Sequence, residues 1–264
     1  MKTTAATSPL HKRLVDGPLI GPFCKTSDPS MIEAMARGGM DFVILDLEHG
    51  PNDIVNLGPL IRAAEAGGAH AVVRTGTPDQ VGRALDLGAA AVQVPHVSDA
   101  ASAQAIVQAA RFAPDGQRGV CRYVRAAGFG TTDKRRYFVE ANRATVIAQV
   151  EGEAGINNLN AILAVAGVDV VFVGVYDLSQ SLGVTGQTDH PHVEAALHDV
   201  VERCKSAGRP VGTFVESVED ARRYRGMGVH YLCYSVDVGL IANACCSVVE
   251  ACRDDGRFPD AASV

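Results

Sequence analysis

Eight short apolar runs, each followed by a segment with helix signals, constrain this chain more than any other feature. They are Leu19–Phe23, Phe42–Leu45, Ala69–Arg74, Ala91–Val94, Val146–Val150, Val170–Val173, Pro210–Val215 and Tyr231–Tyr234. Continuous apolar residues, rather than alternating ones, mark strands buried on both faces of a parallel sheet. Between them, Asp28-Pro-Ser opens Met31–Arg37, Asn52-Asp53 opens Ile54–Ala66 and Ser98-Asp99 opens Ala100–Arg111. Glycines follow several of these helix ends, where a left-handed cap is needed. Strand–helix repetition with right-handed crossovers closes eight strands into a (β/α)8 barrel, an α/β fold. The competitor is an open doubly wound sheet, which needs a phosphate fingerprint such as GxGxxG to be functionally specific, and the chain contains no complete one.

A length of 264 residues suits one barrel domain over the whole chain, with loose ends expected at about 1–16 and 255–264. A formal charge of -6 argues against a general nucleic-acid binder, which needs a basic face. The seven cysteines are an odd number without zinc spacing, which points to a reduced, intracellular protein. The first segment, MKTTAATSPLHKRL, lacks the apolar centre of a secretory signal, and no apolar run reaches membrane-spanning length. A cytoplasmic protein is therefore expected.

Two stretches depart from plain alternation. The connection from Phe112 to Thr132, rich in Arg, Gly and Tyr, is long enough to be a functional loop or lid. The extra last helix, Gly239 to Arg253, carries small and apolar residues on several sides, so it either closes the barrel or docks on a neighbouring subunit.

In a barrel of this kind the active site lies at the C-terminal ends of the strands. The second strand delivers Asp46, Glu48 and His49 there, the third Arg74, the fourth Pro95 and His96. The fifth delivers Gln149, Glu151 and Glu153, and the sixth Gly174 and then Asp177. Glu151 and Asp177 leave neighbouring strands, and two such carboxylates either serve structure alone or, with water in the remaining positions, suit Mg²⁺ or Mn²⁺, with Co²⁺ a further option. His49 beside its Gly-Pro turn either ties down the loop or acts as a base, for which it needs an acid partner. Asp86 is the candidate partner if it lies near the same rim. Arg74, ending an apolar run, must seek a carboxylate, either Asp46 or a substrate.

DLEHGP, the VVR strand, LDLGA, RFAPDGQRGV, AQVEGEAGINNL and VGVYDLSQSLG match in order the motifs of the HpcH/HpaI aldolase/citrate lyase family, which the chain resembles from roughly Leu19 to Ile241. The resemblance is strongest to metal-dependent class II pyruvate aldolases. It implies a (β/α)8 barrel, often a hexamer of three dimers that exchange the last helix. It implies cleavage of a 4-hydroxy-2-oxo acid to pyruvate or a related 2-oxo acid plus an aldehyde, through an enolate. By this likeness Glu151 and Asp177 hold the divalent metal. His49 is the base acting through water, Asp86 raises its basicity, and Arg74 stabilises the enolate and alkoxide. Gln149 positions the 2-oxo acid, while Gly174, Tyr176 and Asp177 line its carboxylate site.

Two segments depart from the family's usual pattern. The family's Gly-Pro-Ala-Asp turn is here Gly174-Val175-Tyr176-Asp177, so a tyrosine narrows the pocket or offers a phenol. The loop reads RGVCRYVRAAGFG, and Arg122, Tyr123 and Arg125 either add positive charge near the mouth, with Arg122 as a contact to a second carboxylate of the substrate, or belong to a solvated or interface-bonded loop. Oxaloacetate decarboxylation or citrate-forming chemistry on the same core is the main alternative. A Schiff-base aldolase would have to use Lys25, and a non-catalytic binding protein would not need His49, Arg74, Glu151 and Asp177 together.

Overall fold

The computed structural model describes residues 8–253. Eight parallel strands form a closed barrel in chain order, with β8 pairing back to β1. The strands are β1 Leu19–Cys24, β2 Phe42–Asp46, β3 His70–Arg74, β4 Ala91–Val94, β5 Thr145–Val150, β6 Val170–Val173, β7 Val211–Val215 and β8 Tyr231–Val236. Each apolar run of the sequence is a strand, with boundaries moved by at most two residues. The helices are α1 Leu10–Asp16, α2 Pro29–Arg37, α3 Ile54–Gly67, α4 Gln80–Asp86, α5 Ala100–Ala110, α6 Lys134–Ala141, α7 Glu153–Asn157, α8 Leu159–Leu163, α9 Val175–Ser181, α10 Pro191–Ser206, α11 Val218–Met227 and α12 Asp237–Arg253.

The strands are continuous because both faces are buried. One set of side chains, including Val43, Leu45, Val73, Val92, Ala148 and Val171, packs outward against the helices. The other set, including Phe23, Phe42, Ile44, Ile147, Phe172 and Tyr231, fills the barrel interior. Asp53 and Asp99 cap α3 and α5 through their carboxylates, as their sequence positions predict.

Residues 10–16 differ from expectation. They form α1 instead of a loose end, and Leu10 and Leu14 are fully buried among the interior residues at the strands' N-terminal ends. Leucines four apart share one helix face, which plugs the bottom of the barrel. His11 at Thr145 and Arg13 at Asp41 tie α1 to the starts of β5 and β2. The other end residues expected to be loose, 1–7 and 255–264, lie outside the described residues.

Past Asp237, α12 leaves the barrel with Val238, Ile241, Val248 and Val249 each at least 42% exposed. No described helix is long and apolar enough to cross a membrane. All seven cysteines are free thiols.

Candidate active site

Asp46 ends β2 and Arg74 ends β3, and their backbones stand opposite each other in the parallel register. The side chains meet as a two-pronged pair, Nε to Oδ1 at 2.8 Å and Nη2 to Oδ2 at 2.7 Å. Burial pushes the Asp46 carboxyl up, but the Arg74 hydrogen bonds and charge, with the backbone N–H groups of Glu48 and His49, hold it below the ordinary range. Burial likewise opposes the Arg74 charge, and Asp46, Glu48 and Glu151 together raise its pKa. The third nitrogen of Arg74 lies 3.2 Å from Glu48, and its guanidinium sits 4.5 Å above the Phe23 ring. Both acids of DLEH thus hold the arginine still over the barrel interior.

Glu151 is set from below by a buried chain of hydrogen bonds. Tyr231 donates to Gln93, Gln93 to Gln149 at 2.6 Å, and Gln149 to Glu151. Gln149 thus orients Glu151 from inside the barrel with one of its two amide N–H groups. From above, the backbone N–H and ring Nδ1 of His96 both lie 2.7 Å from Glu151 Oε1, while ring Nε2 lies 3.1 Å from Glu48. His96 reaches this position because its backbone is left-handed, φ 59°, an uncommon state for a residue with a side chain.

Glu48, His96 and Glu151 place ligand atoms within 4.8 Å of one another. Burial raises the Glu151 pKa, opposed by Gln149 and His96, with Glu48 adding to the rise. Two carboxylates crowded at a partly buried site beside an imidazole suit a divalent cation, which would relieve the cost of ionising Glu151.

Gly174 joins β6 to α9, and a Cβ there would sit 2.8 Å from both Cβ and Oε2 of Glu151, so only glycine leaves the carboxylate its place. Tyr176 and Asp177 follow in the first turn of α9, both exposed. Asp177 lies outside the three-residue cluster. His49, exposed on the turn after β2, bonds through its backbone to Asp46, and its ring has no hydrogen bond among the described residues.

Two expected site residues are not brought to this rim. Asp86 is the last residue of α4, a helix that returns from the top of β3 to the bottom of β4, and it pairs with Arg118 at 2.5 Å. The 112–132 connection runs from the end of α5 to α6 and the start of β5, so it too lies at the bottom. There Arg122 bonds the Gly130 carbonyl, and Arg125 bonds Glu65 and the Leu87 carbonyl. The expected charge near the mouth is corrected accordingly: within one chain these arginines lie at the far end. Chain direction was the available signal, because a segment between a helix and the next strand belongs to the N-terminal face.

His96 stands on the rim as its place after the fourth strand suggests, though the sequence gives it no role there, whereas Glu216 is a site residue that the sequence reading does not reach. Position after a strand was their only signal, since VPHV and FVES carry no motif of their own.

Comparison with known proteins shows the family to which a chain with this fold belongs. The sequence matches the HpcH/HpaI aldolase/citrate lyase family over residues 19–244. It is 35% identical over 235 residues to a 5-keto-4-deoxy-D-glucarate aldolase of Klebsiella pneumoniae subsp. pneumoniae, covering 88% of this chain and 91% of the relative. The fold superposes on an HpcH/HpaI aldolase/citrate lyase family protein from Burkholderia cenocepacia J2315 with TM-score 0.89 and 38% identity, covering 94% of this chain and 100% of that one. It also superposes on the citrate synthase SbnG with TM-score 0.84 and 30% identity, covering 95% and 99%. The chain belongs to the HpcH/HpaI aldolase/citrate lyase family and is a carbon–carbon lyase.

Proposed function

We propose that this enzyme is a metal-dependent aldolase that interconverts a 4-hydroxy-2-oxo acid of the sugar-acid type with pyruvate, or a related 2-oxo acid, and an aldehyde. The observation that carries the reading is Glu151, oriented from the core and facing Glu48, His96 and the fixed Arg74 on one rim. Glu151 and Asp177 would hold the cation, Mg²⁺, Mn²⁺ or Co²⁺, and Glu48 and His96 complete the cluster of donor atoms around Glu151. The cation supplies Lewis-acid polarisation of the 2-oxo acid when bound. Arg74, held on Asp46, presents one of its two remaining N–H groups to the oxygen that gains negative charge. The N–H groups at Tyr176 and Asp177, next to Gly174, receive the substrate carboxylate.

His49 takes a proton through water, from the pyruvate methyl in one direction and from the 4-hydroxyl in the other. Replacing His49 by glutamine is expected to slow exchange of the pyruvate methyl protons in D₂O by about 10²–10⁴-fold, with cation affinity unchanged. Exchange at the unmodified rate would remove His49 from this role. Asp86 lies at the opposite end of its own barrel from His49, so the pairing implied by the family likeness can be met only between copies.

That requirement and the uncovered α12 support a homo-oligomer in which the last helix packs on a partner, within the hexamer the family likeness implies. A chain ending at Gly239, which keeps the Asp237 contacts to the loop after β1, is expected to sediment as a smaller species. Unchanged mass would exclude α12 from assembly. The free thiols fit a reducing compartment, and we place the enzyme in the cytoplasm. Its 30% identity to a citrate synthase supports a second reading, oxaloacetate as the 2-oxo acid. Turnover of oxaloacetate with and without acetyl-CoA, set against pyruvate plus aldehyde, separates the two.

A further inference from the structure

The Tyr176 phenol does not point its proton at a substrate. It donates to Glu216 Oε2 at 2.8 Å, across the gap between the exits of β6 and β7. Glu216 is the residue immediately after β7, so both groups stand on the rim that carries Arg74 and Glu151. Aromatic contacts connect them to the reaction centre: Tyr176 edge-on to Phe214 at 5.9 Å, Phe214 to Phe23 at 6.1 Å, and Phe23 beneath Arg74.

The chemistry of the pair is one-sided. Of the two groups the phenol carries the proton and the carboxylate only accepts, so Tyr176 is the donor in their hydrogen bond. A phenol has one proton, and with that committed its oxygen can only accept. Glu216 meets no cation among the described residues: the nearby Arg223 pairs instead with Glu194 and Asp220. The wall therefore offers hydrogen-bond acceptors and negative charge, and Tyr176 remains 44% exposed. A hydroxyl, which brings a proton, satisfies it. A methyl group gains nothing there, and a carboxylate is repelled.

We propose that Glu216, held in place by Tyr176, is a specificity-determining residue that accepts a hydrogen bond from a hydroxyl of the aldehyde partner, so that the enzyme selects hydroxyaldehydes. This rests on the aldolase reading above and names the partner class for the same site.

The test is aldol addition to saturating pyruvate with the Mn²⁺-loaded enzyme, comparing glycolaldehyde with acetaldehyde, which lacks only the hydroxyl. The unmodified enzyme is expected to favour glycolaldehyde in kcat/KM. Glu216→Gln should lower kcat/KM for glycolaldehyde about tenfold, mostly through KM, and move acetaldehyde less than about twofold. Tyr176→Phe, which frees Glu216 from its anchor, should shift the ratio in the same direction by less. An unchanged ratio in Glu216→Gln, or an equal loss for both aldehydes, overturns the proposal, the second by giving the pair a structural role only. An unmodified protein that adds neither aldehyde overturns the aldolase reading and this inference with it.

Discussion

Glu151→Gln is expected to weaken divalent cation binding by at least about a hundredfold and to remove aldol cleavage with it. Changing a residue that only supports a metal ligand costs about 10–100-fold, so losing the ligand itself sets a larger effect. The substitution is nearly isosteric and keeps a carbonyl oxygen for the His96 backbone N–H, so the barrel should remain intact. The readout is thermal stability as well as rate. A cation at about a hundred times its Kd stabilises the native state by about 2.7 kcal/mol, or roughly 5–10 °C in Tm for a domain of this size.

The pH dependence follows from the raised Glu151 pKa. A folded carboxyl that holds its proton more tightly than the unfolded chain favours folding at low pH, and that contribution is lost as pH rises through the folded pKa. A cation binds the ionised form, so the Tm gain on adding Mn²⁺ should be larger at pH 8 than at pH 5. Glu151→Gln should show a gain of at most about 1–2 °C at either pH. A full Tm gain in the variant would place the cation elsewhere.

Arg74→Lys carries the second large effect. Lysine cannot make the two-pronged contact with Asp46 while also facing Glu48 and the substrate. Loss of a fixed donor at a developing charge is expected to lower kcat about 10²–10³-fold, with KM for the 2-oxo acid moving far less. Arg74→Ala should instead act on folding. It leaves Asp46, 0% exposed, without its counter-charge, at a cost of about 3–5 kcal/mol. The Asp46 pKa is depressed, so its stabilising contribution is present above the ordinary carboxylate range and disappears as pH falls through the folded value. The unmodified enzyme should lose stability on that acid limb, and Arg74→Ala should flatten it. Arg74→Lys with full kcat would remove the arginine from the reaction.

The sequence alone determined the barrel, because its physical cause is local. A strand buried on both faces must be an apolar run, and a helix that starts at an aspartate cap and ends at glycine declares its own limits. It also carried the residues that leave each strand, so Asp46, His49, Arg74, Glu151 and Asp177 could be nominated from position alone. Pairing of Arg74 with Asp46 was one of two open choices, and the β2–β3 register decided it.

Tertiary structure decided what distance along the chain conceals. Glu48, His96 and Glu151 are about fifty residues apart in steps, and only closure of β2 to β5 side by side brings their side chains together. Nothing in VPHV announces a left-handed histidine, because that conformation is held by the Glu151 carboxylate across a neighbouring strand. The sequence leaves Tyr176 either to narrow the pocket or to offer a phenol, and only the position of β7 shows Glu216 within reach of that phenol. Asp86, Arg122 and Arg125 read as site residues by type, yet the path of the chain carries them to the other end of the barrel. Residue chemistry is written one position at a time, whereas a shared rim belongs to the closed sheet.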